Sequence, residues 1–138
     1  YLGDAGSYLI GFLFGYFLLE MSDSNPIISP YFIALLLWYP AFENLFSIIR
    51  KKIIRLDPLE ADNLHFHQLF FYFLKRKKNN FVKKFANPIS SLIINVYNFL
   101  IFLIGLVYFT HTKSLILLIT FNVIIYLSFY FLLKKKSF

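Results

Sequence analysis

The chain contains no cysteine among its 138 residues. That excludes a disulfide framework and any thiolate metal site. Charge is also scarce: Asp, Glu, Lys and Arg make up 15% of the chain, against about a quarter in a typical soluble domain. There is no internal repeat and no Gly/Ser-rich or Pro-rich linker, so the chain reads as one domain. No basic stretch precedes the first apolar run, so no signal peptide is expected. The sequence opens at Tyr1 inside a motif, and it reads as the C-terminal part of a longer protein.

What is abundant is apolar surface. Hydrophobic residues make up 59% and aromatic residues 22%, with a mean hydropathy of +0.65. A spanning helix needs about 20 largely apolar residues, and four segments qualify. They run over 5–21, 27–49, 85–109 and 114–133, and Glu20 and Glu43 are the only charges they contain. Helices are expected because lipid offers no partner to exposed backbone amides. The predicted fold is therefore all-α, a polytopic membrane bundle of four helices with one large loop over 50–84.

The fourteen basic residues are unevenly placed. Ten lie between Arg50 and Lys84 and three at Lys134–Lys136, with only Lys113 elsewhere. Basic loops stay cytoplasmic, so the central loop and the C-terminus are expected inside. Four passes then bring residues 1–4 to the same face.

Three groups of residues suggest chemistry. The first is "GDAGS", where Gly3, Ser7, Gly11 and Gly15 recur every four residues. Such a stripe lets another helix approach closely. Helix packing does not require Asp4, which is read either as an N-cap or as a functional carboxylate at a helix mouth. The second is "LHFHQLF", where His65 and His67 would point to one side of an extended segment. Their spacing argues against zinc. Imidazoles can donate hydrogen bonds to phosphate, and the alternative is an amphipathic segment at the membrane interface. The third is Glu43, an acid inside a span, three residues after Pro40, whose ring is expected to bend the helix. The basic run "KRKKNNFVKK" is either an anchor on anionic lipid or a means of drawing in anionic substrates. One face thus gathers carboxylates suited to Mg²⁺ and cations suited to phosphate oxygens.

These residues resemble a known family. "LGDAGSYLIGFLFG" is similar to the "GDxGS…GF" signature of the bacterial polyprenyl-phosphate N-acetylhexosamine-1-phosphate transferases, relatives of the phospho-MurNAc-pentapeptide translocase. "RLDPLEADNLHFHQLF" resembles their later histidine loop, and "YPAFENLFSIIRKK" the helix before it. Motif order and spacing agree over residues 1–70. The resemblance implies transfer of a phospho-N-acetylhexosamine from a UDP-sugar to undecaprenyl phosphate, releasing UMP, for cell-envelope glycan synthesis.

It also implies a bacterial cytoplasmic membrane location, Mg²⁺ as cofactor, Asp4 as metal ligand and catalytic residue, and His65 and His67 as catalytic residues. Glu43, Arg50, Asn63 and Gln68 follow as substrate-binding residues. No nucleic-acid partner is implied, and a homodimer is left open. The chain departs from the pattern at Gln68, where the family has His, at "DPL" (Asp57–Leu59) for "SPF", and at Glu43 for Asp. The family's aspartate-rich motif lies upstream of this sequence, so these 138 residues alone are expected to lack turnover. The alternative reading is a non-catalytic membrane module that binds lipid phosphate or partner helices.

Overall fold

The computed structural model describes residues 3–55, 57 and 64–137, apart from the side chains of Asp4 and Ser137. Among the described residues it is all-helical: α1 (Gly3–Ser24), α2 (Pro30–Leu36), α3 (Trp38–Ile53), α4 (Phe66–Lys75), α5 (Asn80–Lys84), α6 (Ala86–Val107) and α7 (Thr112–Ser137). Three helices, α1, α6 and α7, are long and apolar enough to cross a membrane. The bent pair of α2 and α3 makes a fourth candidate if counted as one span. The 22 residues of α6 extend about 33 Å and the 26 of α7 about 39 Å at ~1.5 Å per residue, against a hydrocarbon core of about 30 Å.

The segment over 27–49 is not one helix with a kink at Pro40. It breaks at Leu37, and α2 and α3 diverge by 71°. The cause lies one turn downstream. The ring of Pro40 would clash with the carbonyl of Leu36 in a continuous helix, so α2 stops there. Pro40 then falls in the first turn of α3, where its missing N–H is one that a helix start leaves unpaired anyway. Ser29 begins α2 and fixes it to the α6–α7 turn. Its N–H donates to the Phe109 carbonyl at 2.9 Å, and its hydroxyl pairs with Thr112 Oγ1 at 2.9 Å.

Helices α6 and α7 run antiparallel and splayed, and two short helices fill the gap between them. Near the turn, α2 packs on both, with Phe32 and Leu35 buried against Gly105. Toward the other end, α4 packs on both. The Phe66 ring lies 5.0 Å from that of Tyr126, and Arg76 Nη1 donates to the Lys136 carbonyl at 2.7 Å. Both pairs are 60 residues apart in sequence, so α4 runs parallel to the last ten residues of α7. The expected loop over 50–84 therefore contains a helix wedged into the bundle. The reason is its apolar surface: "FHQLFFYFL" buries Leu69 and Leu74 and has more to gain between two helices than in a solvated loop.

The core runs through this wedge, with Leu35, Leu69, Leu115 and Tyr130 almost wholly buried. Among α3, α4, α6 and α7 an apolar cavity of about 180 Å³ remains, bordered by Trp38, Phe66, Phe70, Tyr97 and Phe129 among others. By contrast α1 stands largely apart. Tyr8, Phe12, Phe17 and Leu19 are exposed, and only its last third, around Leu18 and Met21, joins the core.

Gly105 receives the side chains of α2 directly against its backbone. A Cβ there would lie 2.4 Å from Leu35 Cδ2, a side chain with no exposure, whereas at Gly11 and Gly15 it would meet nothing within 4 Å. Gly105→Ala is therefore expected to destabilise by about 1–3 kcal/mol through overpacking. Gly11→Ala or Gly15→Ala should raise stability slightly through helix propensity. Thermal melting of the three variants in one detergent checks the contrast.

Candidate functional site

The polar groups meet on one side of α3. Its buried positions include Glu43, Ser47 and Arg50, spaced by four and three so that they form one stripe. This polar stripe runs beside the apolar positions Trp38, Phe42 and Phe46 that α3 also packs on the core. Arg50 Nη2 donates to Ser47 Oγ at 3.2 Å, and the guanidinium sits 6.0 Å from the Tyr130 ring centroid. Arg50 is thus held inside the bundle, not extended into the basic exit that follows it.

Glu43 is 8% exposed and joins three helices. Its Oε1 accepts the Phe66 backbone N–H at 2.9 Å and lies 3.1 Å from His65 Nδ1. Its Oε2 accepts the Tyr126 hydroxyl at 2.7 Å. A carboxylate removed from water must find such donors. It finds them on the first turn of α4, which offers unpaired N–H groups and a favourable dipole, and on α7. With Nδ1 given to Glu43, any contact of this ring with a phosphate passes through Nε2.

His65 occupies the position before α4 in an extended conformation (φ −70°, ψ 150°). That conformation brings His65 and His67 together, because i, i+2 residues within a helix would diverge. Their rings stack with centroids 5.9 Å apart and planes 19° from parallel. Gln68 Oε1 accepts the His65 backbone N–H at 3.2 Å and closes the helix start as the third-position partner of a capping box does. Gln68 thereby steadies the histidine three residues earlier.

The structure therefore brings together Glu43, His65, His67 and Gln68, with Arg50 two turns further along α3. Asp4 lies in the first turn of α1, inside the helix and not at its cap position. It is about 21 Å along the axis from Leu18, where α1 meets the core. The Asp4 side chain and Asn63 lie outside the described residues. The position of the cluster also differs from a rim location. Phe66 pairs with Tyr126, ten residues and about 15 Å along α7 from Lys136.

Among the described residues no three of His, Asp and Glu gather as a cation site. Glu43 does not fit Mg²⁺, which wants several oxygen ligands, because both of its oxygens already accept hydrogen bonds. Sequence reasoning missed Tyr126. Within "NVIIYLSFYFLL" it looks like one more aromatic residue of an apolar span. Its only distinguishing signal was that a buried Tyr hydroxyl needs a partner.

Tyr126→Phe deletes one hydrogen bond to a buried carboxylate without leaving a cavity. It is expected to cost about 1.5–3 kcal/mol. A double-mutant cycle with Glu43→Gln should return a coupling of about 1–3 kcal/mol, read from denaturation in a fixed detergent. Compared with known proteins, the chain matches no family model, no curated protein and no solved structure.

Proposed function

We propose that the full-length protein transfers a phospho-N-acetylhexosamine from a UDP-sugar to polyprenyl phosphate. Four spans would place the central segment and the C-terminus on the cytoplasmic side of a bacterial inner membrane. In the reaction an oxygen of the lipid phosphate attacks the β-phosphorus of the sugar nucleotide. A new P–O bond forms there as the bond to the bridging oxygen breaks, and UMP leaves with that oxygen.

One observation carries this reading. "YPAFENLFSIIRKK" and "LHFHQLF", two segments whose resemblance to the transferases is independent, meet through Glu43 and His65. The meeting aligns two imidazoles, with a buried guanidinium two turns further along α3. Several phosphates crowd together in such a reaction, and preorganised donors that stabilise their charge supply most of the rate. His65, His67 and Arg50 are donors of this type. Mg²⁺, which the resemblance implies, would rest on Asp4 and upstream residues.

The second reading, a non-catalytic module, has its own support: Gln68 and Glu43 are both committed to internal hydrogen bonds. The two readings separate on UMP release by the full-length protein supplied with undecaprenyl phosphate, UDP-N-acetylglucosamine and Mg²⁺. The enzyme reading expects turnover in the wild type, a loss of about 10²-fold or more in His65→Ala, and loss in Asp4→Asn with normal membrane insertion. Absence of UMP release by the wild type with each UDP-N-acetylhexosamine tried would favour the module. Orientation has a separate check. With cysteine introduced singly at position 67 or 135 in an otherwise cysteine-free background, both positions are expected to react with a membrane-impermeant thiol reagent from the same side.

A further inference from the structure

The last seventy-six residues contain no acidic side chain, since Asp62 is the final acid in the chain. Nine of the fourteen basic residues lie in this stretch outside the α6–α7 turn: Lys75 to Lys78, Lys83, Lys84 and Lys134 to Lys136. The fold concentrates three of them further. Lys77 Nζ lies 4.5 Å from the centroid of the Phe73 ring, and Lys136 Nζ lies 5.7 Å from the same centroid. Arg76 Nη1 donates to the Lys136 carbonyl at 2.7 Å. The ring is itself packed against the core. Two exposed ammonium groups, one just past α4 and one at the end of α7, therefore meet at one fixed aromatic side chain, and the exposed Arg76 is tied to the backbone of the same α7 end. No carboxylate pairs with them among the described residues. Like charges repel at this range. Cation–π contacts hold each ammonium in place but leave the net charge of the group unbalanced.

We propose that Arg76, Lys77 and Lys136 form a binding site for the phosphate headgroup of an anionic phospholipid, which joins the end of α4 to the end of α7. Two features favour a membrane lipid over a water-borne anion. The uncharged stretch of α7 from Ser114 to Leu133 ends directly at Lys134, so the cations begin where a bilayer's hydrocarbon would stop. Beside them, Phe81 on α5 is 65% exposed and Phe85 37% exposed, and Lys84 Nζ lies 5.6 Å from the Phe85 ring centroid. Phenylalanine left outward among lysines suits a lipid surface and not water. The proposal does not depend on the transferase reading.

The test uses the full-length protein in nanodiscs of phosphatidylcholine alone or with phosphatidylglycerol, and it reads thermal melting and lipid retained in native mass spectra. Phosphatidylglycerol is expected to raise the melting temperature by roughly 3–6 °C and to be retained on the protein. The triple variant Arg76→Gln, Lys77→Gln, Lys136→Gln should lose most of that gain and the retained lipid. A control, Lys78→Gln, Lys83→Gln, Lys135→Gln, removes equal charge nearby and should keep both. Equal losses in the two triples would overturn the site in favour of diffuse surface charge. The same shift produced by inorganic phosphate in phosphatidylcholine discs would overturn the lipid as occupant. If the first triple fails to fold in phosphatidylcholine, Lys77→Gln alone carries the test, because its exposed ammonium lies at a turn; a full phosphatidylglycerol response in that variant would count against the site.

Discussion

A carboxylate buried among helices is a liability unless donors surround it, and the position of Glu43 determines much of this fold. Removing an ionised group from water costs several kcal/mol or more. Here the cost is offset by a backbone N–H, a tyrosine hydroxyl and an imidazole from two other helices. The donors come from two places far apart in the sequence, the neighbours His65 and Phe66 and the distant Tyr126. They can be supplied together only if the first turn of α4 and the middle of α7 are both brought to α3. The hydrogen bonds thus specify a register as well as adding stability: they set where α4 begins against α7, and so which of its residues enter the core. Sliding α4 by one turn would preserve much of the apolar contact but leave the carboxylate, the Tyr126 hydroxyl and the Phe66 N–H unpaired. Such an alternative is costly for polar reasons alone.

Aromatic packing works in the same direction. Tyr126 touches the rings of Tyr39, Phe42, Phe46, Phe66 and Tyr130, so the residue that holds Glu43 is also an anchor of the apolar cluster. Edge-to-face contacts of this type add modest energy beyond buried area and restrict ring orientation, which keeps the hydroxyl aimed. At the opposite end, Gly105 allows α2 to approach α6, and Ser29 ties α2 to the α6–α7 turn. The two long helices are thus held apart by short ones fixed at separate points, and the cavity among α3, α4, α6 and α7 is volume that this arrangement leaves unfilled.

Hydropathy was enough to find the long helices, and their ends moved by only a few residues. What it could not supply was the pairing of groups across sequence distance. Glu43 and the two histidines were visible as unusual residues. Their hydrogen bond depends on where α4 docks, and no local pattern encodes that. The break at Leu37 was misplaced because a proline acts on the carbonyl four residues earlier, so its effect falls a turn upstream of the residue that signals it. The small-residue stripe is expected to admit a neighbouring helix, yet within this chain Gly11 and Gly15 face open space. The glycine that permits close packing is Gly105, which stands alone in an apolar run and carries no pattern. The histidine segment lies within the expected loop over 50–84, with an amphipathic segment at the membrane interface as one reading; the apolar density of "FHQLFFYFL" instead carries it into the bundle as α4.

The two kinds of charge in this molecule are handled by different physics. The interior acid is met by dipoles and an imidazole; the long helices treat their amides the same way, with Asn122 donating to the Leu118 carbonyl and accepting from the Tyr97 hydroxyl, and Asn98 donating to that of Ile94. Short-range hydrogen bonds suit a region without water, where each is strong and each omission is expensive. The cations of α4, α5 and α7 lie instead at helix ends, where the dipoles favour positive charge and water or headgroups can reach them. Because this second set has no acid after Asp62 to balance it, its neutralisation must come from outside residues 63–138. Helix α4 connects the two regimes: its first turn is held by the buried carboxylate and its last by the cationic end of α7. A change in what binds the cations would act on the same short helix that positions His65 and His67, through about 15 Å of continuous helix.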